Sequence, residues 1–199
     1  MNSLIDYNNN LLIIISSPSG AGKTSICKKL ISHDKRIKLS VSYTTRAPRD
    51  NETNGLDYFF ISNDKFNSKI LDNSFLEYAN VFGNYYGTSK KNVEEILSKG
   101  SDVLFDIDWQ GASQIINSNL ARIVTIFLTP PSKDAVLERL EKRSKETGDS
   151  YDAIQKRMLE YENEMTHANE YKYVVVNENI LECTEKVISI IENERIIDI

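Results

Sequence analysis

The sharpest chemical signal is a glycine-rich stretch, Ser17-Pro18-Ser19-Gly20-Ala21-Gly22-Lys23-Thr24. Gly20 and Gly22 allow the backbone to curl so that successive N–H groups point inward at phosphate oxygens, assisted by the dipole of a following helix. Lys23 can reach the outer phosphates, and the Thr24 hydroxyl can ligate Mg²⁺. Ser17 stands where the strict GxxxxGK[ST] pattern has a glycine. The stretch therefore predicts a nucleoside triphosphate site, provided that a strand precedes it and a helix follows.

A second phosphate site is indicated by two arginines, Arg46 and Arg49, in the stretch Ser42 to Arg49. An extended backbone could aim both guanidinium groups at one phosphate, which suits bidentate contacts. The alternative is a pair of solvated surface arginines, which is the usual fate of such side chains. Tyr58, Tyr85 and Tyr86 offer further hydrogen-bond donors and favour the phosphate pocket.

Glu77 lies in the apolar and aromatic run Phe75 to Tyr78. A carboxylate there could accept two hydrogen bonds from guanine, which carries an N1–H and a 2-amino group, whereas adenine presents an N1 acceptor that would repel it. A buried reader of this kind can reject the wrong base by about 10⁴-fold. The alternative, which spacing alone favours, is that Glu77 is a surface charge on an edge strand.

Asp106 and Asp108 stand at the carboxyl end of a predicted buried strand, where open α/β sheets bind ligands. Asp106 is a candidate for Mg²⁺ or its water shell. Asp108 is expected to face the second pocket, and capping of the next helix is compatible with that position.

Three arginines in a charged segment, Arg139, Arg143 and Arg157, could neutralise a phosphoryl group in transfer. Loss of one such arginine costs about 10³ to 10⁵ in rate in related chemistry. The alternative is salt bridging on a helix surface with nearby glutamates. The density of charge and Gly148 suggest a mobile lid.

The elements that must position these residues alternate along the chain. The short apolar run Leu11 to Ile15 predicts a strand buried on both faces, and Ser25 to Ile31 has helical spacing. Further strands are predicted at 103–107, 123–128 and 173–176, and further helices at 90–99, 133–142, 151–168 and 181–195, with Ser89 and Ser132 as N-caps. The pattern predicts an α/β fold, a parallel sheet flanked by helices, with a small, mostly β insertion between residues 40 and 88.

Composition excludes several classes of protein. The chain has 199 residues, a net charge of −5 and 27% charged residues, which argues against nucleic acid or an anionic membrane as the main partner. Cys27 and Cys183 form no CxxC pair, so we expect reduced, packed thiols and no zinc site. The longest apolar run, Leu11 to Ile15, is too short to span a membrane, and no cleavable leader is evident, so a cytoplasmic location is expected.

From Leu11 to Ile191 the chain resembles guanylate kinase, a nucleoside monophosphate kinase. The resemblance is carried, in order, by the phosphate loop, Ser40 to Arg49, Asn54 to Tyr58, Phe75 to Ala79, Gly83 to Thr88, and Asp106 to Gly111. It implies ATP-dependent phosphorylation of GMP, and of dGMP as well, with Mg²⁺ and no covalent enzyme intermediate. It also implies a core of about residues 1–38, 89–138 and 159–199, a GMP-binding subdomain of about 39–88 and a lid of about 139–158.

The resemblance assigns roles residue by residue. It implies that the GMP phosphate is bound by Arg46, Arg49, Tyr58 and Tyr86, and the guanine by Ser42, Glu77, Thr88 and Asp108. Residues Ser17 to Thr24 and Asn177 would bind ATP, with Thr24 and Asp106 toward Mg²⁺. The catalytic set would be Lys23, Arg46, Arg139, Arg143 and Arg157.

Two departures from the family pattern concern the recognition residues and the lid. Thr88 replaces a frequent serine and keeps the hydroxyl, while Arg139 to Glu146 replaces an Arg-Gly-Arg-Gly-like stretch.

Two rival functions are a kinase for AMP or a pyrimidine nucleotide and a protein-binding module that has lost catalysis. We expect a monomer or a homodimer.

Overall fold

The computed structural model describes residues 10–50, 52–118, 120–148 and 150–196. In chain order the elements are β1 (Leu11–Ser16), α1 (Lys23–His33), β2 (Ile37–Leu39), β3 (Tyr43–Thr44), β4 (Phe59–Phe60), α2 (Asn63–Leu71), β5 (Phe75–Val81), β6 (Asn84–Ser89), α3 (Lys90–Ser98), β7 (Asp102–Asp106), α4 (Trp109–Ile116), β8 (Arg122–Thr129), α5 (Lys133–Thr147), α6 (Tyr151–Thr166), β9 (Tyr173–Val176) and α7 (Ile180–Ile196). A 3₁₀ turn, His167–Glu170, follows α6.

The main sheet has the strand order β2-β7-β1-β8-β9, and its neighbouring strands are parallel. Every residue of β1 is buried, because alternate side chains of the strand enter two different cores. On one face Ile13 packs with residues of α1 and α7, and on the other Ile14 packs with residues of α3 and α4. This confirms the predicted parallel sheet between helical layers.

A second, mixed sheet with the order β4-β3-β6-β5 confirms the predicted insertion. Its apolar side is closed by α2, whose fully buried Phe66 lies 4.5 Å from the ring centroid of Phe75 and 5.3 Å from that of Tyr85. The insertion thus contains a helix that its β-like composition does not indicate. Ser62 caps this helix by accepting a hydrogen bond from the Lys65 N–H.

The predicted lid segment contains parts of two helices, α5 and α6. α5 is preceded by Ser132, whose hydroxyl caps it as predicted, and is followed by Gly148, which has a left-handed φ of 69°. α6 begins after Ser150, which caps it by accepting from the Ala153 N–H. The two helices share a small apolar core around Val136, Leu140, Ile154 and Tyr161.

Some sequence-based boundaries differ from the structure. Ser89 stands at the N-cap of α3 but makes no side-chain capping bond, α1 begins two residues before its predicted start, and β2 and α4 were not predicted. Cys27 and Cys183 are free and buried, as expected. No helix in the described ranges is both long enough and apolar enough to cross a membrane.

Candidate active site

The glycine-rich loop lies where β1 ends and α1 begins, so the context required by the motif is present. Gly20 and Gly22 have φ of 84° and 94°, which only glycine adopts without strain. A Cβ on Gly22 would also come within 2.5 Å of the Asn177 Nδ2 atom. The Pro18 carbonyl accepts from the Ala21 N–H at 3.2 Å and the Ser17 hydroxyl donates to the same carbonyl at 3.0 Å, so the curl closes on itself without a glycine at position 17.

Lys23 and Thr24, at the start of α1, converge on Asp106 at the end of β7. The Lys23 Nζ atom lies 2.5 Å from Asp106 Oδ1 and donates to the Ile107 carbonyl at 3.1 Å, while the Thr24 hydroxyl donates to Asp106 Oδ2 at 2.9 Å. Burial disfavours the Lys23 charge, but the Asp106 carboxylate outweighs it and raises the lysine pKa. The hydroxyl and carboxylate oxygens are the hard ligands that Mg²⁺ prefers, so the donor set fits that ion.

Arg139 and Asn177 fasten the loop from the other side. The Asn177 side chain donates to the Ala21 carbonyl at 2.6 Å, and Arg139 donates to the Asn177 carbonyl at 2.9 Å. The Asn177 Oδ1 atom is buried and has no hydrogen-bond partner among the described residues. Arg143 follows Arg139 by one helical turn on the same face of α5.

α6 brings two charged side chains to Ser19 in the loop. Arg157 donates to the Ser19 hydroxyl at 2.8 Å, and the Ser19 N–H donates to the Glu164 carboxylate at 3.0 Å. Burial raises the pKa of Glu164 to about 7, against the opposing effect of the hydrogen bond from Ser19. Sequence reasoning missed Glu164, although its place seven residues after Arg157 puts both on one face of the helix.

Arg46 and Arg49, the residues predicted to bind a second phosphate, both contact Glu52. The Arg46 guanidinium lies 2.7 Å from a Glu52 oxygen and 5.4 Å from the Tyr58 ring centroid, and the Tyr58 and Tyr86 rings are 5.8 Å apart. Only 16% of the Arg46 side chain and 25% of the Arg49 side chain are exposed, so the solvated alternative is wrong.

Glu52 was not identified from the sequence, and it organises both arginines. One of its oxygens lies 3.6 Å from Arg49 Nη1, and the other accepts from the Arg49 N–H at 2.8 Å. Burial works against the Glu52 charge, but bonds from Arg46 and Arg49 keep its pKa below the usual value. Two guanidinium groups and one carboxylate leave a net charge of +1, which suits an anion.

Glu77 sits in the small sheet opposite Thr88, and only 3% of its surface is exposed. The Thr88 hydroxyl donates to Glu77 Oε1 at 2.6 Å. Burial raises the pKa of Glu77 to about 7, opposed by this bond and reinforced by the charge of nearby Asp108. The surface-charge alternative for Glu77 is therefore wrong.

Asp108 lies near the Glu77 carboxylate, and Ser42 adjoins the strand β3 that pairs with β6. Asp108 is the N-cap of α4, where it accepts from the Gly111 N–H at 3.0 Å, as the capping alternative proposed. Buried Ser42 precedes β3, whose Tyr43 pairs with Gly87, next to Thr88. A Cβ on Gly111 would lie 2.5 Å from Glu77 Oε2. Gly111 was quoted in the sequence pattern without a role, although a glycine inside a helix usually has a packing reason.

Comparison with known proteins agrees with this geometry. A family model described as guanylate kinase matches residues 9–194. The guanylate kinases of Rickettsia felis and Zymomonas mobilis are 46% and 45% identical over 188 and 187 residues, covering 94% of this chain and 96% and 85% of those proteins. The crystal structure of guanylate kinase from Anaplasma phagocytophilum is similar with a TM-score of 0.77 at 33% identity, covering 94% of this chain and 86% of that one. The chain therefore belongs to the guanylate kinase family.

Proposed function

We propose that the protein transfers the γ-phosphoryl group of ATP to GMP, giving ADP and GDP, with Mg²⁺. The observation that carries this proposal is the buried Glu77 carboxylate, which is bonded to Thr88 in the same small-sheet insertion that carries Arg46 and Arg49. A kinase needs a second substrate site beside its phosphate loop, and this insertion offers a residue that could read a base and a pair of arginines that could bind an anion.

The donor half is the loop from Ser17 to Thr24. Its backbone N–H groups and Lys23 would bind the ATP phosphates. The buried acceptor Oδ1 of Asn177 suits an amino group such as that of adenine. Thr24 and Asp106 would hold Mg²⁺, directly or through water. When bound, the ion would neutralise part of the phosphate charge during transfer. No group of three or more His, Cys, Asp or Glu side chains in the described ranges forms a metal cluster, so the substrate phosphates would complete the coordination.

The acceptor half reads both ends of GMP. The Glu77 carboxylate would accept hydrogen bonds from the guanine N1–H and 2-amino groups. Further contacts to the guanine would come from Ser42, Thr88 and Asp108. Arg46 and Arg49, with the hydroxyls of Tyr58 and Tyr86, would bind the phosphate. A dianionic phosphate would compete with Glu52 for the arginines, whose planar guanidinium groups suit bidentate contacts with an anion.

Transfer requires positioning and charge neutralisation more than covalent chemistry. The GMP phosphate would lie in line with the γ-phosphate, and Lys23, Arg46, Arg139, Arg143 and Arg157 would stabilise the charge that spreads during transfer. We further propose that residues 39–88 and the lid at 139–158 close over the substrates and exclude water, which would otherwise hydrolyse ATP.

A coupled assay of ADP release with GMP, dGMP, AMP, CMP and dTMP as acceptors tests the proposal. We expect GMP to be used with by far the highest kcat/KM. Preference for AMP or dTMP would assign the chain to another substrate, and binding of GMP without formation of GDP would indicate a binding module without catalysis.

A further inference from the structure

A strained turn joins β5 to β6 at the edge of the small sheet. Its two central residues, Phe82 and Gly83, have φ of 50° and 81°, the geometry of a two-residue hairpin turn that favours asparagine and glycine. A bulky aromatic residue at positive φ is an outlier. Within the described residues, the other non-glycine residue with positive φ is an asparagine, Asn73.

The ring of Phe82 contributes no core packing that would explain its presence. It is 39% exposed at the tip of the hairpin. Asn80 accepts from the Gly83 N–H at 3.1 Å and Asn84 donates to the Phe82 carbonyl at 3.4 Å, so polar side chains and backbone define the turn. Asparagine or glycine at position 82 would form the same turn at lower cost.

What the ring does contact is Arg157 of α6. The Arg157 guanidinium carbon lies over the Phe82 ring, 5.1 Å from its centroid, while its Nη1 donates to the Ser19 hydroxyl at 2.8 Å. The same guanidinium thus touches the phosphate loop and the hairpin that carries Glu77 and Thr88. A guanidinium stacked on an aromatic face presents its N–H donors in its own plane, away from the ring.

We propose that Phe82 is a positioning residue for phosphoryl transfer. Its ring holds the plane of Arg157 so that the N–H edge points toward the phosphate loop, and it makes that orientation depend on the GMP-binding hairpin being in place. Backbone strain at an exposed turn, as at Phe82, is expected where a residue is retained for function. This inference rests on the proposed function, in which Arg157 neutralises the transferred phosphoryl group.

The first experiment compares Phe82→Asn and Phe82→Gly with the wild type. Both variants relieve the turn, so we expect a melting temperature equal to or above that of the wild type, together with a fall in kcat of about five- to thirtyfold, the range of an aromatic–cation contact. The KM for GMP should change less than kcat. Phe82→Tyr keeps the ring and should restore most of the rate. Asn73→Gly, at the other positive-φ turn, is the matched control and should leave kcat within about twofold.

A double-mutant cycle with Arg157→Ala tests whether Phe82 acts through the arginine. In the Arg157→Ala background, Phe82→Asn should change the residual kcat by less than about twofold. An equal loss in both backgrounds, an unchanged kcat in Phe82→Asn, or a loss accompanied by a lower melting temperature would overturn the inference. If the wild type forms no GDP, the proposed function itself fails. If Arg157→Ala is inactive while Phe82→Asn is fully active, only the inference fails.

Discussion

At the scale of single residues, each charged side chain of the candidate site contacts a specific partner. Lys23 is paired with Asp106, Arg46 with Glu52, and Glu77 with the hydroxyl of Thr88. Because each group already has a partner, substrates enter a preorganised network and little reorganisation is needed when charge moves.

Replacement of Lys23 separates donor chemistry from acceptor binding. We expect Lys23→Ala to lower kcat by at least about 10²-fold, because one electrostatic contact to the outer phosphates is lost. The dissociation constant for GMP, measured by calorimetry without ATP, should stay within about threefold, because Lys23 belongs to the donor loop. Lys28→Ala, on the exposed side of α1, is the control. Unchanged turnover in Lys23→Ala would mean that the loop does not hold the donor.

The pKa of Glu77 predicts how guanine binding depends on pH. The carboxylate that accepts from guanine must be ionised, and burial holds its pKa at about 7 in the free protein. The affinity for guanosine, measured as its inhibition constant against GMP, should therefore increase from pH 6 to pH 8 and then level off. Guanosine is the right probe because the GMP phosphate itself titrates near pH 6.

Glu77→Gln provides the control for that titration. An amide at position 77 does not ionise. Guanosine should therefore bind more weakly, with a larger inhibition constant that does not depend on pH between 6 and 8. A wild-type profile that is flat over the same range would exclude Glu77 as the base reader.

At the scale of elements, α4 packs closely against β5 because α4 has a glycine, Gly111, at the point of contact. Gly111 lies in the first turns of α4, and its missing Cβ leaves room for the Glu77 Oε2 atom. Helix propensity alone would favour alanine there by about 1 kcal/mol. The glycine is explained by the carboxylate that it accommodates.

We expect Gly111→Ala to raise the KM for GMP by about tenfold or more, because a Cβ would stand 2.5 Å from Glu77 Oε2 and would displace the carboxylate. The KM for ATP should change by less than about twofold, as the donor loop is on another element. Steady-state kinetics with each substrate varied in turn provide the measurement. Ser113→Ala, on the exposed side of the same helix, serves as the control, and equal effects on both substrates would show a general distortion instead.

At the scale of the whole molecule, one buried and one partly buried carboxyl group tie stability to pH. Glu77 and Glu164 have pKa values of about 7 in the folded protein, raised by burial above the ordinary 4.5. For a group whose folded pKa is raised, the stabilising contribution is complete below the unfolded value and is lost as the pH passes the folded value. The carboxyl groups with lowered pKa, such as Glu52, finish titrating at more acidic pH.

The free energy of unfolding of the nucleotide-free protein should therefore fall between pH 5.5 and pH 8.5, by about 2 kcal/mol for each of the two groups. Urea denaturation at fixed ionic strength across this range measures the fall. The double variant Glu77→Gln, Glu164→Gln should show a nearly flat profile. A wild-type stability that is constant or increases with pH would contradict the prediction.

Periodicity made the main sheet predictable, because strands buried on both faces, such as β1 and β8, are continuous apolar runs in the sequence. Elements without that signature were missed: β2 has three residues, α2 is polar, and α4 carries Gly111 in its first turns. In the site, the residues with a motif were identified, while Glu52 and Glu164 were not. Their partners Arg49 and Ser19 are evident only once the chain is folded.

The hydrogen bond between Ser19 and Glu164 affects the measured affinity of this protein for nucleotides. The loop amide that a phosphate oxygen would occupy is already taken by a carboxylate of the same chain. Binding is then an exchange of one anion for another, and the measured constant is the ratio of two affinities. Such an internal competitor would lower the apparent affinity for every ligand whose phosphate binds this loop, and it would return to the amide when the product leaves.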